Sequence, residues 1–169
     1  MNMAREKAME TQMETQIEKR HWYFEDFHVG LALPLGSIVV TEEDIIAFAT
    51  RFDPQPFHID REAAAKSIYG GVIASGWHTC SMMMRMVVDS LLSRSSSMGS
   101  PGLDNIRWIL PVRAGDTLST TFVVKEVRPS ASKPDRGLVV SVWQARNQRD
   151  ELVATLDGGM IMFGRQPTA

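Results

Sequence analysis

Two periods of apolar residues divide the second half of the chain. From Ser75 onward, Trp77, Cys80, Met83, Met84, Val87, Val88, Leu91 and Leu92 recur at spacings of three and four, which marks one face of a helix. Met82 and Met86 widen that face, so the spacing predicts a long, mostly buried helix with a narrow polar strip of His78, Ser81, Arg85 and Asp89. After residue 102 the period falls to two. Leu118, Thr120, Phe122 and Val124 mark one strand; Leu138, Val140 and Val142 a second; Leu152, Ala154, Leu156, Met160 and Met162 a third. Gly102 to Leu110 reads as a further strand, and Arg128 to Gly137, with Pro129 and Pro134, as a hairpin loop. Between helix and strands, the serine run from Ser93 to Pro101 reads as a loop.

The first half carries shorter signals. Met9, Met13 and Ile17 form a stripe at four-residue spacing beside Glu6, Glu10, Glu14 and Glu18, whose like charges repel, so residues 1–20 read as a helix-prone leader. Ordered structure is expected from about residue 21, with turn residues from Leu31 to Gly36 and a strand at Ser37 to Val40. Thr41 is placed to cap a short helix through Ile45 and Phe48, and Asp60 to cap another through Lys66. A short strand, short helices, one long apolar helix and a strand meander together predict an α+β fold, an antiparallel sheet wrapped around a central helix.

Size and composition narrow the classes of function. The 169 residues suit one core, and 44% apolar with 22% charged residues is an ordinary globular balance. A formal charge of -2 leaves no excess of cations for a phosphate backbone, so nucleic acid is not an expected partner. No stretch has the 18 apolar residues of a membrane span, and residues 1–20 lack the apolar block of a secretory signal, so the expected location is the cytoplasm. The lone Cys80 sits in an apolar run and reads as core.

Reactive residue types concentrate in Asp53-Pro54-Gln55-Pro56-Phe57-His58-Ile59-Asp60. Fully extended, Asp53 and His58 would stand up to about 16 Å apart at about 3.3 Å per residue, too far to share one water. The segment must therefore turn, and Asp53-Pro54 suits the first two positions of a type I turn while Pro56 holds Gln55 extended. Two prolines are able to fix a carboxylate opposite an imidazole, the preorganisation that acid-base catalysis needs. Spacing alone equally fits an aspartate that ends one helix, an aspartate that caps the next, and an ordinary loop histidine. His58-Ile59-Asp60 also spells half of an iron-binding triad, but no histidine follows His78 to complete it, so no metal site is expected. Ser75 lacks the flanking glycines of a nucleophile elbow.

From Tyr23 to about Phe163 the sequence resembles the MaoC-like dehydratases, relatives of the (R)-specific enoyl-CoA hydratases. Their Asp-x-Asn-Pro-x-His signature, with a small residue six positions after the histidine, is matched by Asp53, Pro56, His58 and Ala64. Gln55 stands where the asparagine is usual and Phe57 where an aliphatic residue is usual. Phe24-Glu25-Asp26 with Gly30, Ile73-Ala-Ser-Gly76 and Pro111-Val-Arg-Ala-Gly115-Asp116 extend the resemblance. It implies one hot-dog-fold domain over residues 21–165, with a short tail at 166–169. It further implies that Asp53 and His58 hold a water that adds to C3 of a 2-enoyl thioester, and that the Gly76 amide receives the charge developing on the thioester oxygen. Gln55, Phe57, Ser75 and Trp77 are then the expected substrate-binding residues. Such a reaction moves only protons, so no cofactor is called for. The expected partners are an acyl-CoA thioester and, because so apolar a helix needs more cover than one small sheet provides, a second copy of the chain. A thioesterase on the same fold, or an acyl-thioester binding protein without turnover, are the alternative readings.

Overall fold

A computed structural model describes residues 20–165. The helix expected before residue 20 and the tail at 166–169 lie outside the described residues. After a 3-10 turn at Phe24–Asp26, the elements run β1 (Ala32–Val39), α1 (Glu42–Phe52), α2 (Pro56–Ile59), α3 (Arg61–Lys66) and α4 (Gly76–Ser90). A second 3-10 turn (Leu92–Arg94) and the strands β2 (Ser97–Gly99), β3 (Leu103–Trp108), β4 (Thr117–Pro129), β5 (Arg136–Arg146) and β6 (Leu152–Phe163) follow.

The strands form one antiparallel sheet in the order β1-β4-β5-β6-β2, with β3 also pairing with β6. One rung shows how the core is built. Leu33 stands opposite Phe122, Phe122 opposite Trp143, Trp143 opposite Leu156, and Leu156 opposite Ile106, so a row of large side chains crosses the sheet. Met83 and Val87 of α4 join Leu33, Phe122 and Leu156 in the same buried cluster. The wrapped-helix arrangement expected from the two periods is the one observed.

Four local expectations differ. Leu31 to Gly36 belongs mostly to β1 rather than to a turn: Gly36 takes φ +85° at a register shift against β4, so the chain bulges and continues. Pro34 is tolerated there because β1 is an edge strand. On β5 the core face is Val139, Ser141, Trp143 and Ala145, while Leu138 and Val140 are only half-buried. Both faces of that strand are apolar, so alternation left its phase undetermined. On α4 the solvent-facing stripe is Trp77, Ser81, Met84, Arg85 and Val88, whereas His78 is buried. These exposed residues lie at i, i+4, i+7, i+8 and i+11, one side of the helix. Finally, Ser97–Gly99 pairs with β6, so the serine-rich segment is not wholly loop.

The caps follow the sequence. Thr41 Oγ1 accepts from the Asp44 N–H at 3.1 Å, and Asp60 Oδ1 accepts from Glu62 N at 2.8 Å and Ala63 N at 3.0 Å. Between α1 and α4 the chain makes tight turns that bring Asp53 against Ser75 at the start of α4 and His58 against Ile73 just before it.

Candidate active site

Asp53 follows the last residue of α1, its N–H bonded to Ala49 O, and the helix stops there because Pro54 disfavours α geometry in its predecessor. The expected type I turn at Asp53-Pro54 is not formed. Gln55 N instead donates to Asp53 O at 2.8 Å, a tighter three-residue turn about Pro54, and the four-residue turn comes two positions later, where His58 N donates to Gln55 O at 2.9 Å. Pro56 is the first residue of α2, where its missing N–H costs nothing. The two turns double the chain back and leave the side chains of Asp53 and His58 facing each other.

Their geometry is specific. His58 is buried, and its Nδ1 lies 2.7 Å from Ile73 O. A carbonyl only accepts, so Nδ1 carries a proton and Nε2 is the ring atom that faces Asp53. His58 Nε2 stands 3.4 Å from Asp53 Oδ2, beyond the range of a good direct bond. Asp53 is held from two further sides: Gln55 Nε2 donates to Oδ1 at 2.8 Å and Ser75 Oγ donates to Oδ2 at 2.7 Å. The Ser75 bond first, then the Gln55 bond and the nearby imidazole, hold the Asp53 carboxyl below the usual carboxylate range against the opposing effect of burial.

Ser75 is fully buried and caps α4, its Oγ accepting from Trp77 N at 3.2 Å. Gly76 is thus the first residue of that helix, a position whose N–H has no acceptor within the helix. Ala74 N donates to Val112 O at 2.8 Å and Ile73 N to Phe57 O at 3.3 Å, which fastens the approach to α4 between α2 and the segment after β3.

These groups open onto one cleft of about 570 Å³. Asp53, Gln55, Phe57, His58, Gly76 and Trp77 all line it, and Ser75 reaches it through Asp53. Phe57 is half-buried, edge-on to His58 and 5.3 Å from the Tyr69 ring. The sequence reading missed Tyr69, Thr79 and the whole wall from Trp108 to Val112, all of which line the cleft. No spacing rule finds them: Tyr69 reaches the cleft beside Phe57, and Trp108 reaches it because the end of β3 meets the first turn of α4.

The reason for glycine at 76 is local packing. A Cβ there would fall 2.7 Å from both Cδ2 and Nε1 of the Trp108 indole, which occupies the space. Two other reactive residues belong to the core: burial pushes the Cys80 thiol up, and burial lowers His78, with Asp44 opposing that shift. Among the described residues, no group of three or more His, Cys, Asp or Glu is placed to hold a metal ion. No helix among them is long and apolar enough to cross a membrane.

A sheet wrapped on one helix, with an acidic and an imidazole side chain converging at that helix's first turn, defines a hot-dog fold with a potential acid-base site. The comparisons agree: the MaoC like domain matches residues 33–143, and the chain belongs to that family, one of hydratases and dehydratases. The crystal structure of a MaoC-like dehydratase from Rhodospirillum rubrum superposes with a TM-score of 0.81 at 39% identity, covering 86% of this chain and 99% of that one. An uncharacterized protein, YdeM, from Bacillus subtilis is 27% identical over 126 residues, 75% of this chain and 88% of its own length. A 3-hydroxybutyryl-CoA dehydratase from Methylorubrum extorquens is 29% identical over 150 residues, 86% of this chain and 85% of its own. Some relatives are longer: the chain spans 33% of Protein MaoC from Klebsiella aerogenes.

Proposed function

We propose that the protein adds water to a 2-enoyl thioester of coenzyme A, and in reverse dehydrates the 3-hydroxyacyl thioester, with Asp53 and His58 as the acid-base pair. The observation that carries the reading is the 3.4 Å approach of Asp53 Oδ2 to His58 Nε2 with His58 Nδ1 committed to Ile73 O. A carboxylate oxygen and a ring nitrogen facing each other at that distance suit one water bonded to both. The oxygen of that water adds to C3, Asp53 takes a proton from it, and the proton passes to Nε2 and then to C2. The books of protons close, with none gained or lost overall.

Addition at C3 drives negative charge onto the thioester oxygen. The Gly76 N–H, free of an acceptor within the helix and at the positive end of α4, supplies a donor in place before the charge forms. Gln55 and Ser75 hold Asp53 in one orientation, while Phe57 and Trp77 give the cleft apolar walls for the acyl group. Trp77, Met84 and Val88 leave an apolar stripe on the outer face of α4, at 55%, 42% and 37% exposure, which a second copy of the chain would cover. Light scattering of the purified protein tests that: a mass of one chain at micromolar concentration rejects the dimer.

A panel of 2-enoyl-CoA and 3-hydroxyacyl-CoA substrates, assayed in parallel for hydration and for release of free coenzyme A, tests the activity. Loss and gain of the conjugated enoyl absorbance without free thiol is the expected result. Free thiol without hydration identifies a thioesterase instead, and saturable binding with neither product identifies a binding protein.

A further inference from the structure

Trp108 belongs to no recognisable motif, yet it touches the candidate site at its most sensitive point. It is the last residue of β3, where its backbone pairs with Ala154 of β6, and its indole reaches away from the sheet to the first turn of α4. There Nε1 donates to Gly76 O at 2.9 Å, and the ring lies in the space a Gly76 side chain would need. Half its surface is exposed, it borders the cleft, and it stands edge-on to Trp77 with ring centroids 5.7 Å apart at 76°.

The first turn of α4 is therefore gripped from two directions. Ser75 ties one side to Asp53, and Trp108 ties the other to the sheet. The peptide that carries the Gly76 N–H is held on its carbonyl side, where Thr79 N donates to Ser75 O at 3.0 Å, and the Trp108 bond to Gly76 O holds the next peptide of the same turn, so Trp108 fixes where that turn stands. The chain after Trp108 is itself anchored, since Ile109 N and Leu110 N both donate to Val153 O at 2.8 and 3.2 Å. The clamp is thus rigid on its sheet side.

We infer that Trp108 is a positioning and specificity residue of this site: its N–H, bonded to the Gly76 carbonyl, holds the turn that presents the Gly76 amide, and its ring is the wall that limits the bulk of the acyl group beside that amide. The inference rests on the thioester reading above for its chemistry, but its wall component is a statement about binding and is tested separately.

Trp108→Phe keeps most of the ring and removes the donor; Trp108→Ala removes the wall. For the hydration reaction, Trp108→Phe is expected to lower kcat by about two- to tenfold, the range one neutral hydrogen bond carries, with KM changed less than twofold. Trp108→Ala is expected to move the preference, as kcat/KM, at least tenfold toward longer or branched 2-enoyl groups. Variants that lose only thermal stability, with kcat, KM and acyl preference unchanged, overturn the inference while leaving the hydratase reading intact. Quenching of tryptophan fluorescence by butyryl-CoA gives the second readout. A wild-type protein without turnover whose quench is reduced at least twofold in Trp108→Phe removes the hydratase reading and keeps the wall. No quench in the wild type, or an equal quench in Trp108→Phe, overturns the wall.

Discussion

Ser75→Ala probes the junction on which the site depends, because one buried oxygen does two jobs. Ser75 Oγ donates to Asp53 Oδ2 at 2.7 Å and accepts from Trp77 N at 3.2 Å as the cap of α4. Loss of a helix cap costs about 1 kcal/mol. Loss of a hydrogen bond to a charged group costs about 1.5–3 kcal/mol. Ser75 is fully buried, so water does not replace its hydroxyl, but the Asp53 side chain keeps 21% exposure and recovers part of its solvation. The two losses share one atom and are not fully additive, which puts the expected destabilisation at about 2–3 kcal/mol. Urea unfolding at neutral pH measures it.

The same change has a defined sign in pH. In the folded protein Asp53 is held below its ordinary value of 3.8, with the Ser75 bond the largest cause. Its ionised form therefore contributes stability that is present above the unfolded value and lost as pH falls through the folded one. Without the Ser75 donor the folded value rises, so that contribution shrinks, and the acid limb of the hydration rate moves to higher pH. A variant with less than about 0.5 kcal/mol of lost stability and an unmoved acid limb would refute the assignment of both jobs to Ser75.

His78 predicts a second pH effect of opposite origin. Burial lowers its pKa from 6.5, so below that pH the unfolded chain takes up a proton that the folded protein resists, and stability falls with a slope of at most about 1.4 kcal/mol per pH unit. His78→Phe, which preserves a ring against the Phe48 ring now stacked 4.8 Å away, should flatten the slope of unfolding free energy just below pH 6.5; an unchanged slope assigns it to other groups. Gly137→Ala places a methyl group in the Phe24 ring and should cost about 1–3 kcal/mol by displacing the 3-10 turn from β5, measured as a lowered urea midpoint.

Much of this architecture was legible because the long helix and the later strands obey different periods. Where legibility failed, the cause was an ambiguity of phase or of distance. Val139 and Trp143 on one face of β5 compete with Leu138 and Val140 on the other, and only the position of α4 decides between them. His78 looked polar and Met84 apolar, but the geometry of α4 buries the first, stacked on Phe48, and exposes the second. At the site, the Asp53–His58 pairing followed from two prolines and a resemblance, although the turn that achieves it is tighter than Asp-Pro suggested. Trp108 was invisible for a plainer reason: 32 positions separate it from Gly76, and nothing in either segment signals that β3 ends against the first turn of α4.

The central claim is that Asp53 and His58 act on one water. Asp53→Asn keeps the shape of the side chain and removes its ability to take a proton, so hydration of a 2-enoyl-CoA by the purified variant is the most direct test. The account predicts a fall in kcat of about 10² to 10⁴ with folded structure retained. Turnover within a fewfold of the wild type, by a variant with a native circular dichroism spectrum, would contradict it.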